Sequence, residues 1–438
     1  MMKPTWRLRG ARTQLLTAAL ACAALAGCSL DLTNPNAPSE EQVIESSDGI
    51  ISLAVGLQAQ YADNLNLFLR APALVTDEWG TRPIALAADV SLVTGTPDPT
   101  FGVVSDPFAA GYRIARTADI LIANAPKVAS SGTTLSPATL AGILSLSRLF
   151  KAMALGQMAL QYERLPATAG VGALPLPRAQ VMDTALALLE QARADLAGVS
   201  DAELAGFRSR VLGTGFDLRN TIDAMLARYY LFRGKNPEAL AAAQRVNLNV
   251  LSVLAYPNPG TNPIYNYSAV ARYTGTRKSF FTEADPADKR PAYWALRTGA
   301  TGSPGTPDSV FDFKKYGGRN DAYPVYLPDE MRLIMAEVYV RQGNFPAART
   351  LINAVHTQTS SSVDEPLAGL PAIPDAALAT EAQLMAQILY ERRYELYAQG
   401  LRWEDLRRLA AYTARKPSIQ FLPYPQSECD VNPANPCG

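Results

Sequence analysis

Apolar residues recur at spacings of three and four along most of the chain, the period of helices that bury one face. Over residues 39–69 the stripe is Val43, Ile50, Ile51, Leu53, Ala54, Leu57 and Tyr61, with Ser39 and Glu41 marking a helix start. Similar stripes near residues 108–128, 137–162, 178–196 and 219–233 predict further amphipathic helices. Alternating, strand-like patterns are short and scattered, as at 310–313 and 323–326. The pattern therefore predicts an all-α, mostly helical protein.

Two segments share one internal spacing 109 positions apart: Ala227, Tyr230, Gly234, Ala239 and Ala336, Tyr339, Gly343, Ala348. This is the small, Tyr, Gly, small arrangement of a tetratricopeptide-like helix pair. The small residues allow two helices to approach closely, and glycine closes the first helix. Asn236, Pro237 and Glu238, like Asn344, Phe345 and Pro346, then open the second helices, because proline is tolerated in a first turn. A third pair is expected from 144–162 and 178–196, joined by a loop through Pro166, Gly170, Gly172, Pro175 and Pro177. Pairs of this kind stack into a superhelix that outgrows the size of one ordinary compact core.

Between the clear repeats, residues 256–326 exchange Ala and Leu for Pro, Gly, Asn and aromatics. This irregular, loop-rich insertion is the expected functional face, since loops held by a rigid scaffold carry recognition.

The chain has 438 residues, 48% hydrophobic and 18% charged, with 40 Lys plus Arg against 40 Asp plus Glu. That composition is globular, and its charge balance gives no field to attract nucleic acid. Neutral ligands or protein partners fit better. At the N-terminus, Lys3, Arg7, Arg9 and Arg12 precede an uncharged run and then Leu25, Ala26, Gly27 and Cys28. That order is an export signal rather than a membrane span, with its run shorter than the ~20 residues a spanning helix needs. The cysteine after small residues resembles the lipobox of bacterial lipoproteins, so residues 1–27 are expected to be removed and Cys28 lipidated. Ser29, in place of an inner-membrane-retaining aspartate, favours the outer membrane. Residues 28–38 read as a tether, and 39–438 as one helical domain with no later stretch apolar enough to span a bilayer. Cys22 leaves with the signal, and Cys429 and Cys437 remain as disulfide partners in an oxidising compartment, with free thiols as the alternative.

From Leu389 to Arg408 the chain carries Glu391, Arg392, Arg393, Glu395, Leu396, Gly400, Arg402, Trp403, Asp405 and Leu406. This run resembles the signature of the SusD/RagB family. Asn34 and Pro35, the Asp77, Glu78, Trp79, Gly80 stretch, the 328–355 helix pair and the Pro423, Pro425, Gln426, Ser427, Glu428, Asn432, Pro433 ending are similar too. The resemblance implies an outer-membrane lipoprotein, expected at the cell surface, that captures glycans or oligosaccharides and delivers them to a SusC-like TonB-dependent transporter. Glu391 and Glu395 lie one helical turn apart beside Arg392, Arg393 and Arg402, which reads as a structural ion-pair network rather than catalysis.

Ligand candidates come from local chemistry: aromatic faces stack on sugar rings, and polar neighbours bond the hydroxyls. Tyr265, Tyr267, Tyr273, Trp294, Tyr316 and Tyr323 are the platforms, Asn266, Arg272 and Asn320 their polar neighbours, and Trp79 a further candidate. Each aromatic has the alternative role of a loop anchor packed on the helices. An enzyme is disfavoured. Carboxylates abound, yet no acid motif for glycoside hydrolysis stands out. The lone histidine, His356, excludes a multi-histidine metal site, and there is no phosphate loop or Gly-x-Ser-x-Gly elbow. No cofactor or metal motif is read, and a protein-binding scaffold remains the second possibility.

Overall fold

The computed structural model describes residues 43–132, 135–170, 172–298, 301–303, 306–431 and 435, with only the backbone described at 301–303 and 306–309. The export signal, Cys28, the 28–38 tether and Cys437 lie outside the described residues. Cys429 is disulfide-bonded.

The chain begins with α1 (Ser47–Asp63), α2 (Leu65–Val75), the short strand β1 (Trp79–Thr81), α3 (Ala87–Thr94), α4 (Gly102–Ser130) and α5 (Pro137–Gln161). The paired strands β2 (Arg164–Leu165) and β3 (Leu176–Pro177) lead to α6 (Arg178–Asp195), α7 (Ala205–Arg210), α8 (Leu218–Phe232) and α9 (Asn236–Arg245). The next stretch holds β4 (Val253–Leu254), α10 (Pro263–Tyr265), β5 (Thr274–Arg277), α11 (Lys278–Thr282), α12 (Arg290–Trp294), β6 (Thr301–Ser303), β7 (Thr306–Phe311) and β8 (Tyr323–Pro324). Last come α13 (Pro328–Arg341), α14 (Phe345–His356), α15 (Glu381–Glu395), α16 (Arg402–Arg408) and α17 (Gln426–Val431). The mostly helical class is as the periodicity predicts.

Local chemistry sets the boundaries. Of the helix expected over 39–69, residues 39–42 lie outside the described residues, Val43 and Ile44 are helical, and after a break a new helix starts at Ser47, where the Ser46 hydroxyl accepts from Gly49 N at 3.1 Å, and is interrupted at Asn64 before α2 resumes. Ser136 and Asp217 cap α5 and α8 in the same way, and Thr380 with Gln383 forms a capping box on α15. Contrary to the sequence reading, α5 is long and apolar enough to cross a membrane, but 72% of its most apolar window is buried. Its apolar surface faces protein on nearly every side because α4, α6 and α1 all pack on it. At Gly156 on α5, the ring of Tyr229 occupies the space a Cβ would take.

The repeats are real helix pairs. Gly234 and Gly343 take left-handed φ of 69° and 74°. In each, the residue after glycine donates back to the tyrosine carbonyl, Lys235 N to Tyr230 O and Asn344 N to Tyr339 O, both at 2.9 Å. The glycine N–H bonds the next carbonyl along in both, completing the same Schellman closure twice. Ala227, Ala239, Ala336 and Ala348 are fully buried where the paired helices meet. Helix α9 packs directly on α13, so the two repeats are neighbours in space although residues 246–327 separate them in sequence. The expected third pair also forms, as α5 against α6.

The insertion is more regular than its composition predicts. Strands β5, β7 and β6 join β1 in a four-stranded antiparallel sheet of order β1-β5-β7-β6, with Trp79 opposite Thr276 and Thr81 opposite Thr274. Its two ends are fastened to each other by β4 and β8, Leu254 opposite Tyr323. Such long-range pairing leaves no local trace in composition.

Candidate ligand-binding site

The β1–β5 register determines which loops meet. Chain leaving β1 and chain entering β5 run side by side, and Arg82 N donates to Tyr273 O at 2.9 Å. On one side stand Arg82, Ile84 and Leu86; on the other stand α10, a π turn over Asn266–Val270, and Arg272, whose φ is 56°. This brings together Tyr265, Asn266, Tyr267, Arg272 and Tyr273, five of the sequence candidates. All five are half-buried or exposed.

The cluster is locked from beneath. Arg70 of α2 donates to Tyr267 Oη at 2.9 Å, and its guanidinium lies 4.9 Å from the centre of that ring. Tyr267 Oη in turn donates to the buried Asp89 of α3, which also lies 3.5 Å from Arg70. Burial raises the Asp89 carboxyl above its ordinary range, opposed by Arg70 and the Tyr267 hydrogen bond. Tyr273 packs edge-on against Tyr267 with ring centres 5.1 Å apart. Arg272 is half exposed and 3.7 Å from Asp312, which Arg82 also holds at 2.5 Å. Val270 and Ile84, each 61% exposed, add apolar surface at the rim. The result is a preorganised aromatic and apolar face with a cation and an amide at its edge, the composition that binds sugar rings. Arg70, Arg82, Ile84, Asp89 and Asp312 escaped the sequence reading because they reach the tyrosines only through the fold.

The other candidates are not part of it. Trp294, Tyr316, Tyr323 and Trp79 are all buried. Trp294 Nε1 donates to Tyr394 O at 2.8 Å, and its ring neighbours Tyr316 and Tyr397; Trp79 packs on Phe313 at 5.2 Å. Trp294, Tyr316 and Tyr323 anchor the insertion in the core and Trp79 packs on it from β1, a role that sequence alone could not separate from stacking. Asn320 is exposed, but its amide donates to Tyr256 O at 2.5 Å and Gly260 O at 3.2 Å. It sits at a separate cavity of about 730 Å³ between α1, residues 209–214 and residues 253–258, lined by Gln58, Leu212, Val253 and Tyr256 among others.

The 391–405 signature is buried and structural, but its partners differ from those expected. Glu391 is bound by Arg290 of α12 and by His356 Nδ1, each at 2.7 Å. Arg392 pairs with Asp405 at 2.8 Å, and Arg393 reaches Glu283 at 2.5 Å. Trp403 is fully buried and donates to Ile419 O at 2.9 Å. Arg392 finds its partner within the signature, but the charges opposite Glu391 and Arg393 come from elements far away in sequence, which helix spacing cannot reveal. Beside this network, burial pushes the Asp329 carboxyl up to about 7, with Glu365 adding to the rise, and holds Glu395 well above the carboxylate range.

Residues 307–421 match the model described as SusD family. No curated protein matches the chain. Among solved structures, a SusD superfamily protein from Bacteroides fragilis aligns with a TM-score of 0.69 at 14% identity, over 89% of this chain and 98% of that one. Surface glycan-binding protein A from Bacteroides thetaiotaomicron, solved in complex with laminarihexaose, aligns with a TM-score of 0.67 at 13% identity, over 88% and 98%. Surface glycan-binding protein A from Bacteroides uniformis gives 0.65 at 16%, over 89% and 99%. At these identities the likeness establishes the fold: this chain has the SusD-superfamily architecture over nearly its whole length.

Proposed function

We propose that this SusD-like chain is a glycan-binding outer-membrane lipoprotein, anchored through Cys28 and facing the cell surface, that captures oligosaccharides and passes them to a TonB-dependent transporter. The observation that carries the reading is the Tyr267–Tyr273 pair, held by Arg70 and Asp89, on a partly exposed segment that also bears Tyr265, Asn266 and Arg272. The shared architecture with glycan-binding surface proteins supports it. Binding rather than catalysis is favoured because the carboxylates in contact with this segment, Asp89 at Tyr267 and Asp312 at Arg272, are both held by arginines.

Calorimetric titration against an oligosaccharide panel that includes laminarihexaose tests this. Tyr273→Ala is expected to weaken the best ligand by about ten-fold, the worth of one aromatic contact at ~1.4 kcal/mol, with the thermal midpoint within a few degrees of wild type. An affinity within two-fold of wild type removes the tyrosine face from consideration, and binding of no oligosaccharide at all favours the scaffold reading. The anchor is tested separately. Two acyl chains give stable attachment, so Cys28→Ser is expected to shift the protein from the membrane to the soluble fraction. Its retention in the membrane fraction contradicts lipidation there.

A further inference from the structure

Three carboxylates from separate parts of the chain converge inside the protein: Asp329 in the first turn of α13, Glu365 in the loop of residues 357–370, and Glu395 at the end of α15. One oxygen from each lies within 4.8 Å of the others. All three side chains are buried. Around them the oxygens are poorly satisfied. Glu365 Oε1 accepts from Gln358 Nε2 and Ser361 Oγ, both at 2.7 Å, and Arg332 reaches one oxygen of Asp329. Asp329 Oδ2, Glu365 Oε2 and both oxygens of Glu395 are buried and accept no hydrogen bond, with Arg290 no nearer to Glu395 than 3.6 Å. The Gln358 amide oxygen, on the head group bonded to Glu365, is buried and unpartnered as well.

Buried acceptors left without donors are costly, and a point where several carboxylates meet needs positive charge. The cations on hand do not suffice. Arg290 is already engaged by Asp288 and Glu391 at 2.7 Å each, and Arg332 is committed to Asp329. With His356 held by Glu391, the five carboxylates Asp288, Asp329, Glu365, Glu391 and Glu395 outnumber their cationic partners even if the histidine is protonated. One divalent ion supplies the missing charge.

We propose that Asp329, Glu365 and Glu395 form a calcium site. Every available donor is a hard oxygen, and the set holds neither the cysteine nor the histidine that zinc prefers. Three oxygens held ~2.3–2.6 Å from a calcium ion at roughly 90° to 120° from one another stand about 3.3–4.5 Å apart, which is compatible with the 4.8 Å within which these three lie. Glu365 adjoins Asp364, which is 63% exposed. The ion ties the 357–370 loop to α13 and α15. The inference is independent of the glycan-binding reading.

The test uses the purified full-length protein, treated with EGTA, dialysed, and titrated with calcium chloride alone. One calcium ion per chain by elemental mass spectrometry and a rise of several degrees in the thermal midpoint are expected, because a ligand bound only by the native state stabilises it. Glu365→Gln, which keeps the shape but removes a charge, is expected to weaken calcium binding by at least ten-fold. A stripped wild-type protein that neither takes up calcium at millimolar concentration nor changes its midpoint overturns the proposal, and the cluster is then held by protons. Unchanged affinity in Glu365→Gln overturns the assignment of these residues. If the variant does not fold, terbium decides with the wild type. Emission sensitised by nearby Tyr293 and displaced by calcium supports the site, and its absence overturns it.

Discussion

Arg290→Leu is expected to lower stability by about 3–5 kcal/mol, the usual cost of removing one partner of a buried ion network, and to leave much of the protein unfolded at 37 °C. The guanidinium is fully buried, bonds both oxygens of Asp288 and one of Glu391, and lies near Glu395. Its loss strands three carboxylates away from water with His356 and the Gln387 amide as the remaining donors to Glu391. Urea unfolding followed by circular dichroism measures the effect. Arg208→Leu serves as control: Arg208 is 43% exposed and paired with the still more exposed Asp201. A surface pair of that kind contributes below ~1 kcal/mol. Equal costs for the two substitutions would show that the 391–405 network does not hold the fold.

Stability is also expected to fall as pH rises from 4.5 to 8, with Glu78 as a principal cause. Glu78 sits just before β1, fully enclosed, and burial pushes its carboxyl up to about 8 despite the opposing charges of Arg402 and Arg393. Between those pH values the native state keeps a proton that the unfolded chain has released. Its contribution is therefore complete below about pH 4.5 and is lost as pH climbs through 8. A shift of that size corresponds to an upper bound of about 5 kcal/mol. Denaturant midpoints at pH 5 and pH 8 measure the slope, and Glu78→Gln, neutral throughout, is expected to flatten it. The same slope in variant and wild type assigns the dependence to other groups.

Helix pairing was legible in the sequence because its cause is local. Each repeat needs only small residues where helices touch and a glycine that can take positive φ, and these stand at fixed offsets. The candidate site was half legible for the opposite reason. Composition marked 256–326 as rich in aromatics, yet Trp294 and Tyr265 look alike in one dimension. What separates them is the β1–β5 register and the Trp294 Nε1 bond to Tyr394 O, contacts spanning 100 residues or more. The partners of the signature charges were invisible for the same reason, since Arg290 lies 101 positions from Glu391. The Asp329, Glu365, Glu395 cluster has no spacing that a metal motif would display.

The β4–β8 clip gives the insertion a particular freedom. Because Leu254 and Tyr323 already hold its two ends together beside the stacked repeats, the entropy of closing that loop depends only weakly on the number of residues between them. Sequence in the middle can lengthen, shorten or change its chemistry while the helix pairs keep their interface. Architecture and insertion chemistry are thus separable in this protein: one scaffold can be kept intact while the surface it carries is rewritten.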